Sequence, residues 1–257
     1  MKHLAMLLVL GAATLAARAH DTWFAPLSRQ EGGTLLALGT GNRFPKQEFA
    51  VGMEHLRMSG CATGQGVPAR LAPWQQARHA LLMHAAAPAP DTAGLSCWAQ
   101  LLPMEIELSA ETVEVYLDEI HAPQPVRQAW AERRARGAVW KERYTKHARI
   151  ELGDGPPMAR ATGMDLDARL EAASRRPRAG EALAFQVLLA GQPLAGLPME
   201  LVDGQGASGG WAVTDAQGRL RLPAPRAGRW VLRGTHLQAV DGDAWESRFL
   251  TLAFELR

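Results

Sequence analysis

Cysteine is scarce in this 257-residue chain: Cys61 and Cys97 are the only two. Neither belongs to a C-x2-C pair, which argues against a structural zinc site. In an oxidising compartment an even pair suits one disulfide; two buried free thiols are the alternative. Long apolar runs are scarce too. After residue 19 no stretch of about 18 unbroken apolar residues occurs, so nothing there reads as a membrane-spanning helix. Catalytic signatures are missing as well. There is no phosphate loop, nucleophile elbow, HExxH or CxxC, and no spacing joins the lone Ser, His and Asp residues into a triad. This argues against the familiar hydrolases, kinases and oxidoreductases, and the expectation is a protein that is not an enzyme.

What is present begins at the N-terminus. Met1-Lys2-His3 is a short positive segment, and Leu4 to Leu15 is apolar and too short to span a bilayer. Ala17-Arg18-Ala19 then supplies an A-x-A cleavage signal. Residues 1–19 are thus expected to be a cleavable secretory signal, with the mature protein in the periplasm. Without Lys2 and Arg18 the formal charge of +2 falls to zero. So balanced a chain gives no reason to expect nucleic acid or an anionic membrane as partner.

The expected fold is mainly β, of the α+β kind. Thr34–Gly39, Arg78–His84, Leu95–Leu101 and Met104–Leu108 read as strands, with a Pro-rich loop at Ala87–Pro90. Ser109 can cap a helix in which Val113, Tyr116, Leu117 and Ile120 share one face. Pro123 and Pro125 end it, and a second helix is expected from Val126 to Arg136. Residues 153–180 show no sustained period, which places a boundary there. The domains are thus 20–170, β-rich with a two-helix insertion near 110–136, and 171–257, an Ig-like or carboxypeptidase-regulatory-like β-sandwich. In the latter, short strands alternate with turns such as Asp203-Gly204 and Asp241-Gly242. Asp215-Ala216-Gln217-Gly218 reads as a hairpin loop, because it lacks the alternating carboxylates of a calcium loop.

His20 carries the sharpest chemical expectation. Cleavage after Ala19 makes it the mature N-terminus, where its α-amine and imidazole can close a chelate ring on a metal. An α-amine has a pKa of about 7.7–8.0, so a metal displaces its proton near neutral pH. An oxidative copper enzyme built on this group would need a third nitrogen ligand beside it. His236 follows the strand Trp230–Arg233, and a satisfied, half-buried histidine is its plain reading.

These segments carry a family resemblance. His20-Asp21-Thr22-Trp23-Phe24-Ala25-Pro26 resembles the HxxW-x-x-P opening of the NikM-like periplasmic family, domain of unknown function 4198. Glu142-Arg143-Tyr144-Thr145-Lys146-His147-Ala148-Arg149 is similar to that family's strand after two helices. The turns at Gly191–Gly196, Thr214–Arg219 and Ala227–Trp230, then Thr235-His236-Leu237 and Ala244–Ser247, follow in the family's order. The resemblance implies a nickel/cobalt-uptake component, with His20 and His236 as the histidines to test. Ni²⁺, Co²⁺ or Cu²⁺ would be held at one site and exchanged with an envelope metal transporter. The alternative is a metal-free envelope binding or assembly module that uses its Ig-like domain.

Overall fold

The computed structural model describes residues 20–30, 32–86, 94–172, 175, 177–223 and 226–257. The signal expected at 1–19 and the Pro-rich loop expected at 87–90 lie outside the described residues. The first half runs through β1 (Asp21–Gln30), β2 (Gly33–Gly41), β3 (Phe49–Ala50), β4 (Leu56–Thr63), β5 (Pro68–Ala69), β6 (Leu71–Gln76), β7 (Leu81–Ala85), β8 (Leu95–Leu101) and β9 (Met104–Leu108). Two helices follow, α1 (Ala110–Glu119) and α2 (Gln124–Ala135), and then the long strand β10 (Trp140–Leu152). The rest comprises β11 (Leu166–Leu170), β12 (Leu183–Leu189), β13 (Gln192–Pro193), β14 (Pro198–Asp203), β15 (Ser208–Val213), β16 (Arg219–Leu222), β17 (Gly228–Ala239) and β18 (Ala244–Leu256). The fold is mainly β with a two-helix insertion between β9 and β10.

A nine-stranded sheet of order β15-β14-β17-β18-β10-β8-β4-β5, with β9 also on β10, forms the spine. Its centre is the parallel pairing of β10 with β18, strands about a hundred residues apart in sequence. The sheet therefore crosses the boundary expected at 153–180. Two smaller sheets cover it on opposite sides. On one side β1, β2, β3, β7 and β6 enclose a core that includes Phe24, Leu36, Leu81, Ile150 and Ala253. On the other, β11, β12, β13 and β16 enclose Phe185, Leu201, Leu232, Leu252 and Phe254. Side chains alternate across β18, so Leu250, Leu252 and Phe254 enter one core while Phe249 and Ala253 serve the opposite face. The helices lie on that opposite face, where Tyr116, Trp130, Trp140 and Trp245 pack together.

Local chemistry explains the helices. The Ser109 side chain accepts a hydrogen bond from the Thr112 N–H at 3.3 Å, as an N-cap should. Val113, Tyr116 and Leu117 are the buried face. The second helix starts at Gln124, two residues before the expected Val126, because Pro125 sits in its first turn, where a missing N–H costs nothing.

Three other expectations are corrected. The region 153–180 contains β11, whose alternation is hidden because almost every side chain in Leu166–Leu170 is buried. Asp215–Gly218 does not close a hairpin: β15 pairs with β14 and β16 with β12, so the loop passes between sheets. It is still a turn, with Asp215 Oδ1 accepting from the N–H groups of Gln217 and Arg219, and Gly218 at φ 69°. The first segment, not assigned as a strand from sequence, is β1. Cys61 and Cys97 stand opposite each other on β4 and β8 and form a disulfide. A loop of that length gives about 4 kcal/mol in the chain-entropy account.

The segment from β10 to β11 is tied down by a buried ionic cluster. Arg149 is fully buried. Its guanidinium donates to Glu151 at 2.9 Å, to Asp167 at 3.3 Å and to the Met158 carbonyl at 2.8 Å. Removing the cation would strand two buried carboxylates, which costs about 3–5 kcal/mol. Arg149→Met is therefore expected to lower the urea unfolding free energy by about that amount. A loss under about 1 kcal/mol would contradict this role for the cluster.

Candidate functional site

Strand β1 starts against the spine and is fixed there by side-chain donors. The Lys146 ammonium on β10 donates to the His20 carbonyl at 2.8 Å, and the Thr251 hydroxyl on β18 donates to the Thr22 carbonyl at 2.6 Å. Asp21 accepts from Arg233 of β17 at 2.8 Å, and Arg233 also binds Glu200 of β14. The His20 ring meets Phe49 edge-on, with centroids 5.4 Å apart. Burial, followed by Lys146, lowers the imidazole pKa, so the ring is neutral and able to act as a ligand near pH 7.

Beside the start of β1 lies a cavity of about 320 Å³. Asp21, Glu200, Arg233 and Thr235 line it from the strands, Asn42 from just past β2, and Asp118, Glu119 and His121 from the end of α1. Four carboxylates face one guanidinium among these residues. The C-terminal end of α1 adds the negative end of its dipole. Arg127 grips that end, donating to the Leu117 and Ala122 carbonyls and to Asp118. His121 then adopts φ 50°, a left-handed position usually held by glycine or asparagine at a helix end. The turn lays its ring on Trp211 of β15, with centroids 3.7 Å apart and planes 15° from parallel.

The two histidines singled out from sequence do not meet. Asp21 pairs with Arg233, which shares a face of β17 with Val231 and Leu237. His236 shares the other face with Trp230 and Leu232. The sheet therefore separates His20 from His236, and they cannot hold one ion together. His236 stands in register with Arg248, and burial, then Arg248, lowers its pKa. Its Nδ1 is buried without a partner among the described residues.

Sequence reasoning gave Lys146, His121 and Trp211 no part in a site. Lys146 was visible in the block Glu142–Arg149, but its neighbour was not. Burial pulls its ammonium down to about 8, with Asp21 opposing. Two residues earlier in that block, Tyr144 packs beside the aromatic core, and Glu142 accepts from Tyr116, Trp140 and Ser247. His121 and Trp211, ninety residues apart, share no sequence signal.

Among the described residues no three His, Cys, Asp or Glu side chains form a ready cation cage. The nearby carboxylates are engaged: Asp21 with Arg233, Asp118 with Arg127, and Glu48 with Asn42 and Lys46. The donors that fit a metal are thus the His20 imidazole and, if the chain is cleaved after Ala19 as the sequence leads one to expect, its own α-amine. They are two of the four to six ligands a transition ion takes.

Fold and cleft together define a β-sandwich protein with an acid-lined cleft at the start of its first strand. The chain belongs to the family described as Domain of unknown function (DUF4198), whose profile matches residues 17–238. A search of curated proteins gives no match. Among solved structures the chain is similar to native alpha-2-macroglobulin from Escherichia coli spanning domains MG0-NIE-MG1. The identity is 10%, the coverage 91% of this chain and 97% of that one, and the TM-score 0.24, too low to carry an argument. No described helix is long and apolar enough to cross a membrane.

His147, in the same block of β10, gives a pH prediction. Its Nδ1 meets the Phe249 carbonyl at 3.1 Å, and burial lowers its pKa from the ordinary 6.5 to about 4. The native state thus binds this proton less tightly than the unfolded chain does. The stability this gives is present above about pH 6.5 and is lost as pH falls through about 4. Between about pH 7.5 and pH 5 the loss is about 2 kcal/mol. In His147→Gln that part of the pH dependence should vanish from urea unfolding measured at both pH values. An unchanged pH dependence would contradict the assignment.

Proposed function

We propose that this protein is exported, processed after Ala19 and works in the periplasm as a metal-binding accessory protein for nickel or cobalt uptake, or for copper handling. The α-amine and imidazole of His20 hold one Ni²⁺, Co²⁺ or Cu²⁺ at the mouth of the acid-lined cleft. The reading rests above all on the placement of His20: Lys146 anchors its carbonyl, and Glu48, Asp21 and Glu119 are near enough to oppose the lowering of its imidazole pKa by burial and Lys146. Those carboxylates attract a cation without enclosing it. An ion held by two protein donors at a rim exchanges readily, which suits hand-over to an envelope metal transporter with no covalent chemistry. Intrinsic affinity runs copper over nickel over cobalt. The NikM-like resemblance supports the reading, and His236 has no part in this site.

A second reading is a metal-free envelope assembly module. β15 ends the nine-stranded sheet, and Val213 on it is 60% exposed, which favours strand addition by a partner.

The test uses protein exported and cleaved in a bacterial periplasm, with its N-terminus confirmed by mass spectrometry. Calorimetric titration with Ni²⁺, Co²⁺ and Cu²⁺ should give one site in the wild type. Binding should weaken at least tenfold in His20→Ala and persist in His236→Ala. A wild type that begins at His20 and binds none of the three more tightly than about 0.1 mM, roughly −5.5 kcal/mol, would overturn the metal reading in favour of the second.

A further inference from the structure

Strand β1 ends its sheet: among the described residues it pairs only with β2. In an antiparallel pair, opposed residues alternate between those that exchange backbone bonds and those that turn their N–H and C=O groups away. Thr22 and Thr40 stand opposite each other with their hydroxyls 2.7 Å apart, the close approach of a pair that exchanges no backbone bonds. The Thr22 carbonyl accordingly turns away from β2 and accepts from Thr251, and two residues earlier the His20 carbonyl accepts from Lys146. The same alternation turns the Phe24 N–H and C=O and the Pro26 C=O outward. Pro26 fits this edge, since a residue without an N–H stands where the ladder needs none. Outside the ladder no described donor or acceptor reaches Phe24 or Pro26. Phe24 is nevertheless 1% exposed, so its outward groups call for a partner from water or from a ligand.

The space for one is there. A cavity of about 510 Å³, well within the range of ligand sites, opens where Lys146 and Thr251 cease to hold β1. Phe24, Pro26 and Leu27 line it from β1; Ile150 and Leu152 of β10 and Ala253 of β18 line it from the spine. Leu27 is the extra residue of a bulge and is 52% exposed. A further strand beside β1 would cover this apolar floor. The outer end of the cavity carries both signs of charge. Arg257 binds Asp154, while Arg229 and Glu255 face each other in register without an ion pair among the described residues. An acyl chain would lie against these charges and leave the Phe24 groups unserved. An extended peptide complements both features: its backbone matches the edge, its inward side chains alternate with outward ones, and polar flanks meet Arg229 and Glu255.

We propose that this cavity binds an extended peptide segment of a partner protein as an added strand on the outward edge of β1, with an apolar side chain on the Ile150–Ala253 floor. The site is separate from the cleft and independent of the metal reading of His20.

The experiment titrates the full protein purified from a bacterial periplasm into fluorescein-labelled, amidated Thr-Val-Thr-Val-Thr and its isoleucine and leucine analogues, read by anisotropy. Amide hydrogen exchange at Phe24 is followed by NMR with and without peptide. At least one peptide should bind more tightly than about 1 mM. N-methylation of its three central residues should weaken binding at least tenfold, and so should Leu27→Asp, whose circular dichroism should match the wild type. In the free protein the Phe24 amide should exchange faster than those of Trp23 and Ala25, and bound peptide should slow it at least tenfold. The proposal fails if no peptide binds more tightly than about 1 mM. It fails equally if N-methylation or Leu27→Asp leaves binding unchanged, or if the Phe24 amide is already as protected as its neighbours without peptide.

Discussion

The fold depends on one buried cation. Arg149 sits near the C-terminal end of β10 with no exposure to solvent, and it satisfies Glu151, Asp167 and the Met158 carbonyl together. The Ser96 hydroxyl donates to the other Glu151 oxygen and accepts from the Met158 N–H, while Asp167 accepts from the Thr162 N–H. Every polar group in this cluster has a partner, which makes a buried charge tolerable. The cluster clamps the irregular segment 153–165 against the sheet at the one place where the chain passes from one half to the other. With the segment fixed, β11 starts the second sandwich and the chain can return as β18 along β10.

That return builds the cleft. β10 and β18 run parallel in the centre of the sheet, so residues from opposite ends of the sequence lie side by side. One face of the pair presents Lys146 and Thr251 to the backbone of β1; the other presents Arg149 and Leu252 to the second half. β17, next to β18, adds Arg233, and β14 adds Glu200. Residues 20–22 are thus held by groups from three strands far from them in sequence. The helix insertion closes the end of the cleft with His121 and the positions before it. The site is a consequence of sheet register, and no single loop carries it.

The sequence was legible where an apolar or alternating run is bounded by turn residues. Leu95–Leu101, Met104–Leu108 and Leu183–Leu189 were read with their observed bounds, and α1 came with its Ser109 cap. Legibility failed where buried charged residues interrupt a short strand, as Asp167 does in β11, and where a strand owes its place to tertiary pairing, as in β1. The long strands β17 and β18 were read only in part, because polar residues such as Ser247, buried against Glu142, interrupt the apolar pattern. At the cleft, His20 stood out through its position after the expected cleavage signal. Lys146, Arg233 and Trp211 did not, since each is brought there by strand pairing that no local pattern encodes. His236 attracted notice by type alone, and period two puts it on the wrong face of β17 for partnership with His20.

The central claim is that the α-amine of His20, and not only its ring, holds the cation. Selective transamination of the processed N-terminus converts that amine to a keto group and leaves the imidazole in place. The account predicts that nickel binding by calorimetry then falls at least tenfold while the circular dichroism spectrum is unchanged. Undiminished binding by the transaminated protein would contradict it.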